Sequence, residues 1–157
     1  MSRRSDEDLR LDKIREAIGR VEDPEYPGLS IVDLGILESI RLTPAGVTVG
    51  LVPTFSGCPA LSMIAEDVRK AVRGVSDAEA VEVVWLSSPP WSTGRLSPRG
   101  RRVLAGAYTV GVQIGSEAPL CPRCGGATSL QSSFGPSRCR SIHVCSRCRE
   151  LVEVLRG

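Results

Sequence analysis

Two short cysteine runs decide the C-terminal fold: Cys121-Pro122-Arg123-Cys124 and, about twenty residues further on, Cys145-Ser146-Arg147-Cys148. Each run presents two thiolates from one turn, and a hairpin between the runs brings the two turns together around a single ion. The spacing therefore predicts a tetrahedral four-cysteine site. Structural zinc is the favoured occupant, with iron, an iron–sulfur cluster or a redox dithiol as alternatives, because soft thiolates suit all of these.

Cys139 and His143 lie between the two cysteine pairs. Either could replace one of the four ligands, but neither is paired at the same spacing, so both are predicted to be structural. Cys139 is also a candidate for transient metal or thiol transfer. The apolar residues around the pairs predict the small strands of a zinc ribbon, whose core is too small to fold without metal. They are Leu130, Phe134, Ile142, Val144 and Val152.

The composition places these cysteines in a globular protein. The 157 residues are 41% hydrophobic, 24% charged and 4% aromatic, which is enough to build a core without disulfides. The sequence contains no apolar run long enough to span a membrane, and the N-terminus enters acidic residues without a signal-peptide pattern. We therefore expect a cytoplasmic protein whose six cysteines serve metal or thiol chemistry.

The charge is distributed unevenly along the chain. Residues 95–157 hold ten Arg or Lys against three Asp or Glu, whereas residues 1–25 hold six against eight and residues 26–94 hold four against seven. A basic C-terminal third is typical of a surface for nucleic acid or for an acidic protein partner. A solvated arginine-rich face is the equally weighted alternative.

Ahead of the cysteine module, the pattern predicts an α/β (α+β) domain with a small mixed sheet and two or three helices. Apolar residues recur at helical spacing over Asp6–Ile18, and two β-like runs, Ile36–Leu42 and Val47–Val52, predict a hairpin. A second helix should open at Pro59, followed by a strand over Val81–Leu86.

A short helix should follow Ser97-Pro98, with Ser97 as its cap. The predicted division is a domain over residues 1–110, a linker over 111–118 and a four-cysteine zinc ribbon over 119–157.

Cys58 is the second chemical signal. It is expected at the start of the second helix, where unsatisfied N–H groups and the helix dipole lower the pKa of a thiol and favour a reactive thiolate. A buried small side chain is an equally weighted alternative. A Cys–His catalytic pair is disfavoured, because the one histidine lies in the cysteine module.

Three carboxylates flank a proline-rich turn: Asp23, Glu25 and Asp33. They could bind a hard metal or iron together with Cys58. Taken alone, the residues favour turn chemistry, because Asp before Pro and Asp before Leu-Gly commonly hydrogen-bond to their own backbone.

Several of these motifs resemble known families. The acidic turn and the Cys58 segment are similar to iron–sulfur assembly proteins, which include the bacterial SufT-type factors. The tryptophan segment and the C-terminal cysteines resemble the PaaD family, the D subunits of phenylacetyl-CoA epoxidase systems. The motifs that carry the resemblance are Asp23–Pro27, Ser30–Ile36, Pro53–Ala60, Trp85–Thr93, Phe134-Gly135 and the cysteines Cys121, Cys124, Cys139, Cys145 and Cys148.

This resemblance implies a maturation role. A protein of that family accompanies a di-iron multicomponent oxygenase of aerobic phenylacetate degradation without being its catalytic or reductase subunit. By implication, Cys58 would hold iron or an iron–sulfur cluster transiently, helped by Asp33, Glu25 and Asp23, and no residue would be catalytic. The ribbon would dock on oxygenase subunits or on iron–sulfur assembly proteins. One such cysteine per chain would predict a cluster shared across a homodimer.

Two other classes of function are weighed against this hypothesis. A nucleic-acid-binding or purely docking ribbon is indicated by arginines around the cysteine pairs, but Phe134 is the one aromatic residue there for base stacking, which disfavours nucleic acid. A thiol enzyme built on Cys58 ranks last. The arginines are Arg123, Arg138, Arg140, Arg147 and Arg149.

Overall fold

The computed structural model describes residues 5–156, which divide into two compact units. The first unit contains the chain up to Pro53 together with Pro59–Pro90, and the second contains Thr54–Cys58 together with the chain from Trp91 onward. The segment that ends at Cys58 thus groups with the cysteine module. The predicted end of the first domain at residue 110 and the predicted end of the linker at residue 118 stay predictions.

The first unit is a mixed α+β layer, which confirms the predicted fold class. Its elements are α1 (Asp6–Ile18), β1 (Leu37–Thr43), β2 (Gly46–Leu51), α2 (Leu61–Arg73) and β3 (Ala80–Trp85). The sheet has the strand order β1-β2-β3, with β1 and β2 antiparallel and β2 and β3 parallel across the helical connection α2. Helices α1 and α2 pack together, and α1 contacts β1 while α2 contacts β3.

Helix α1 has the predicted bounds because both of its ends are signalled locally. The Ser5 hydroxyl accepts the N–H of Asp8 at 3.1 Å, and the Asp8 carboxylate accepts the N–H of Ser5 at 3.1 Å, which completes a capping box. The helix ends before Gly19, and its buried face includes Ile14 and Ile18.

Helix α2 begins later than its sequence suggested. Ala60 is the N-cap and Leu61 the first helical residue, so Pro59 precedes the helix. The N–H of Cys58 donates to the carbonyl of Phe55 at 3.1 Å, which closes a four-residue turn. Cys58 therefore lies in a loop two residues before the N-cap, not in the first helical turn.

The elements of the second unit are a 3-10 turn (Thr93–Arg95), α3 (Pro98–Ala107), β4 (Gly111–Val112), β5 (Thr128–Ser132), β6 (Arg140–Cys145) and β7 (Leu151–Leu155). Its four-stranded sheet has the order β4-β7-β6-β5, in which β4 and β7 are parallel and the other pairs antiparallel. The predicted Ser97 cap of α3 is confirmed, because its hydroxyl accepts the N–H of Gly100 at 2.9 Å.

The ribbon core differs in part from the predicted set of apolar residues. Phe134 lies in the loop after β5 and is 70% exposed, with the Arg156 guanidinium 5.6 Å from its ring centroid. Leu130 lies in β5 but is 60% exposed, whereas Val152 is buried in a core with Cys121, Cys145 and Val154. Half of the residues in this small core are thus cysteines, and a bound metal would complete it.

Candidate metal centre

The first cysteine turn connects β4 to β5. The N–H of Cys121 donates to the carbonyl of Gly126 at 2.8 Å, and the N–H of Gly125 donates back to the carbonyl of Cys121 at 2.8 Å. Gly125 has a φ of +72°, a conformation that costs a non-glycine residue about 1–2 kcal/mol. These contacts turn the chain tightly enough to point both sulfurs to one side.

The second cysteine turn connects β6 to β7 and closes in a similar way. The N–H of Cys145 donates to the carbonyl of Glu150 at 3.0 Å, and the N–H of Arg149 donates to the carbonyl of Cys145 at 3.1 Å. Arg149 takes the left-handed conformation here, with a φ of +64°. The Arg147 side chain then joins the two turns by donating from its guanidinium to the carbonyl of Cys124 at 2.9 Å.

The four sulfurs meet in one cluster. All four Sγ atoms lie within 4.8 Å of one another, with Cys121 and Cys148 at 3.8 Å and Cys124 and Cys145 at 3.5 Å. Four sulfurs about 2.3 Å from a tetrahedral zinc ion would lie about 3.8 Å apart. The donor set and its spacing therefore fit a metal site with four thiolate ligands. Two of the four cysteines, Cys121 and Cys145, are buried.

The surroundings of the cluster shift the pKa values of two of its thiols in opposite directions. The backbone N–H of Cys148 is the main cause that lowers the pKa of Cys145 to about 6, and the N–H of Arg147, 3.4 Å from that sulfur, lowers it further against the opposing effect of burial. The backbone N–H of Glu150 lowers the pKa of Cys148, but burial and the neighbouring sulfurs outweigh it and raise that pKa to about 11. Cys145 is thus prepared as a thiolate that a cation can capture.

Cys139 and His143 lie outside this cluster. Among residues 5–156, the one group of three or more metal-ligating side chains consists of Cys121, Cys124, Cys145 and Cys148. His143 is buried, its Nδ1 lies 3.3 Å from the Thr128 hydroxyl, and burial lowers its pKa, which favours a neutral ring. The Cys139 sulfur lies 3.3 Å from the Ser137 hydroxyl.

The Cys58 loop and the Cys139 loop meet within the second unit. The Arg138 guanidinium lies 5.9 Å from the ring centroid of Phe55, within reach of a cation–π contact. Phe55 is the first residue of the turn that ends at Cys58, and Arg138 directly precedes Cys139. This contact could not be predicted from the sequence, because the two residues are far apart along the chain. Cys58 itself is half-buried.

The acidic turn shows the local hydrogen bonding that its residues favoured. The Asp23 carboxylate accepts the N–H of Glu25 at 2.8 Å, and the side chain of Asp33 accepts the Ser30 hydroxyl at 3.2 Å. Asp23 is buried, Asp33 is half-buried and Glu25 is exposed. The carboxylate of Asp23 thus supports the backbone of the turn, whereas the carboxylate of Asp33 binds the side chain of Ser30.

Sequence reasoning counted Arg147 among the residues of a basic surface and missed its role in joining the two turns. Its position between two paired cysteines is the signal that could have indicated this role.

No helix in the described part of the chain is both long and apolar enough to cross a membrane.

Two family models match this chain, one in each half of the sequence. A family model described as iron-sulfur cluster assembly protein matches residues 11–85, and one described as PaaD zinc beta ribbon domain matches residues 107–156. A protein named provisionally as the D subunit of 1,2-phenylacetyl-CoA epoxidase, from Escherichia coli K12, is 32% identical over 85% of this chain and 84% of its own length. The Fe-S protein maturation auxiliary factor YitW of Bacillus subtilis is 30% identical over 58% of this chain and 89% of its own length.

A solved structure supports the fold of the assembly-type domain. The crystal structure of a domain of unknown function, DUF59, from Bacillus anthracis matches with a TM-score of 0.58 and 28% identity, over 62% of this chain and 93% of that chain. Fold and site together define an iron–sulfur-assembly-type domain followed by a four-cysteine ribbon. The chain belongs to the PaaD family of phenylacetyl-CoA epoxidase D subunits.

Proposed function

We propose that this protein is a non-catalytic accessory factor that helps to assemble or deliver an iron or iron–sulfur centre for a multicomponent oxygenase of the phenylacetyl-CoA type. One observation carries the proposal: an assembly-type domain and a four-cysteine ribbon occur in one chain, and the similarity to an epoxidase D subunit runs through 85% of it. Its partners would be oxygenase subunits or iron–sulfur assembly proteins, and its compartment the cytoplasm.

Zinc is the metal we assign to the four-cysteine cluster. Four thiols with two of them buried, on a ribbon whose core contains two of those same cysteines, fit a closed structural site better than a site that exchanges its metal. Zinc would supply no redox chemistry there and would stabilise the two turns against separation. Cys121, Cys124, Cys145 and Cys148 would be its ligands.

Cys58 is the thiol that we assign to transient iron or cluster binding. A delivery site must release its cargo, and a half-buried thiol on a loop suits exchange better than a closed cluster does. Cys139, on the loop that contacts Phe55, is a second thiol in the same unit. We propose Asp33, Glu25 and Asp23, which lie in the first unit, as separate and weaker candidates for binding iron, since the carboxylates of Asp23 and Asp33 already accept local hydrogen bonds. A homodimer that shares one cluster would follow from a single Cys58 per chain.

A nucleic-acid-binding ribbon has less support from the structure. Arg147 is engaged with the carbonyl of Cys124, and Arg140 forms an ion pair with Glu153, so two of the five arginines serve the ribbon itself. Phe134, the candidate for base stacking, lies beneath the Arg156 guanidinium.

The metal content of protein purified without oxygen tests both assignments. We expect one zinc per chain in the wild type and in Cys58→Ser, with additional iron and visible absorption in the wild type but not in Cys58→Ser. Ser56→Ala, an exposed change in the same loop, is the matched control and should retain the iron. Zinc alone in all three proteins, prepared under iron-replete conditions, would contradict the role of Cys58.

The client is tested in an Escherichia coli strain that lacks its own D subunit of 1,2-phenylacetyl-CoA epoxidase. Wild-type protein should raise the iron content and the activity of the purified epoxidase, and Cys58→Ser should not. If the wild type restores neither, the phenylacetyl-CoA client is wrong. If Cys58→Ser restores both, delivery does not pass through that thiol.

A further inference from the structure

The second unit contains an apolar groove that the metal chemistry does not use. Helix α3, strand β4 and the segment before the first cysteine turn enclose a volume of about 450 Å³ that is open to solvent along one side. A small-molecule site usually surrounds 70–90% of its ligand, so an open groove is better suited to a segment of another protein. Its lining includes Arg101, Ala105, Val112, Ile114, Pro119 and Leu120.

Large apolar side chains are exposed at this groove. Ile114 is 56% exposed and Leu120 is 66% exposed. Contiguous exposed apolar residues beside a concave surface mark interaction sites in soluble proteins. Strand β4 adds a second feature, because it is an edge strand that pairs with β7 alone. An extended segment could therefore align along it.

Arg101 indicates the chemistry of the occupant. Its Nε is buried and has no hydrogen-bond partner, and within residues 5–156 no ion pair joins it to Glu117, the acidic residue of the lining. A buried donor without a partner destabilises a protein, and a guanidinium is satisfied best by a carboxylate that accepts two hydrogen bonds. The groove lining thus includes the positive charge of Arg101, which the carboxylate of an acidic side chain would bind.

The charge around the groove favours the same occupant. Arg99 and Arg102 are exposed on the helix that carries Arg101, and residues 95–157 hold ten basic against three acidic side chains. A basic peptide would be repelled, and an uncharged one would leave Arg101 unsatisfied. We infer that the groove docks a peptide segment of a partner protein in which an Asp or Glu binds Arg101 and neighbouring apolar side chains pack on Ile114 and Leu120.

Selection from a displayed library of random 12-residue peptides tests this inference on the full zinc-loaded chain. The enriched peptides should carry an Asp or Glu next to large apolar residues. Synthetic copies should bind at least about tenfold more weakly to Arg101→Gln, because a hydrogen bond between charged groups is lost. Leu120→Ser should also weaken them. Arg102→Gln, on the same helix but outside the lining, should change the affinity less than about twofold.

Three outcomes would overturn the inference: no enrichment, enriched peptides without an acidic residue, or binding that survives Arg101→Gln. Binding of a small aromatic carboxylate such as phenylpropionate, competed by no peptide, would likewise replace peptide docking with a small-molecule site. Zinc content and the urea midpoint of each variant show whether it is folded. The assay measures peptide binding alone, so its failure would not affect the proposed role of Cys58. In the same way, the iron-delivery result for Cys58→Ser does not affect the inference about the groove.

Discussion

Replacing Gly126 with alanine tests whether the two cysteine turns are packed as closely as the structure shows. A Cβ at this position would lie 2.8 Å from the Cβ of Arg147, 3.0 Å from the Sγ of Cys145 and 3.3 Å from the Sγ of Cys124. None of these atoms is the far end of a flexible side chain, and bound metal would hold both sulfurs in place. The backbone conformation of Gly126 imposes no strain, so the expected effect is steric alone.

Overpacking of this kind costs about 1–3 kcal/mol. If the cost falls on the metal-bound state, metal affinity should fall by roughly 5- to 150-fold, since each 1.4 kcal/mol is a factor of ten. Competition for zinc with a chromophoric chelator, and Co²⁺ titration followed by thiolate-to-metal absorption, both measure this change. Gly106→Ala is the control, because a Cβ there meets nothing within 4 Å on helix α3 and should instead stabilise the chain by about 0.5–1 kcal/mol.

A double-mutant cycle with Arg147→Gly sharpens this test. Removing the Cβ of Arg147 eliminates the closest of the three contacts, so the penalty of Gly126→Ala should be smaller in the Arg147→Gly background. The penalty should not vanish, because the two sulfurs remain close. Zinc affinity of Gly126→Ala within twofold of the wild type would refute the packing described for the two turns.

Three further predictions concern stability. Chelation of the metal, or Cys121→Ser, should unfold β5–β7 while α1 and α2 persist, because half of the residues in the ribbon core are cysteines. Amide hydrogen exchange should then lose its protection over residues 120–156 alone. Unchanged protection there would contradict the prediction. Ser97→Ala should cost about 1 kcal/mol in the urea-derived free energy of unfolding because it removes the N-cap of α3, whereas Ser92→Ala, at a cap position without a side-chain hydrogen bond, should cost less than half of that. Zinc binds deprotonated sulfurs, so the stability that zinc adds to the ribbon should fall as the pH decreases from 9 to 6; a urea midpoint of the zinc-loaded chain that stays unchanged over this range would contradict a four-thiolate site.

Much of the fold could be predicted because its signals are local. The bounds of α1 follow from Ser5 at one end and Gly19 at the other, and the hairpin from two alternating runs joined by a Pro-Ala-Gly turn. The start of α2 was misplaced for a physical reason. Proline is tolerated in the first helical turn, but the hydrogen bond from Cys58 to Phe55 holds the chain in a turn before it.

The sequence by itself determined the pairing of four cysteines into two short turns, because ligand spacing within a turn is a local property. Only the tertiary structure decided that Cys139 and His143 lie outside the cluster, that Phe134 leaves the core and that the Phe55 ring meets Arg138. It also decided that the Nε of Arg101 is buried without a partner beside an apolar groove. Such features depend on which distant segments pack together, and packing is set by the burial of the whole chain rather than by the order of neighbouring residues.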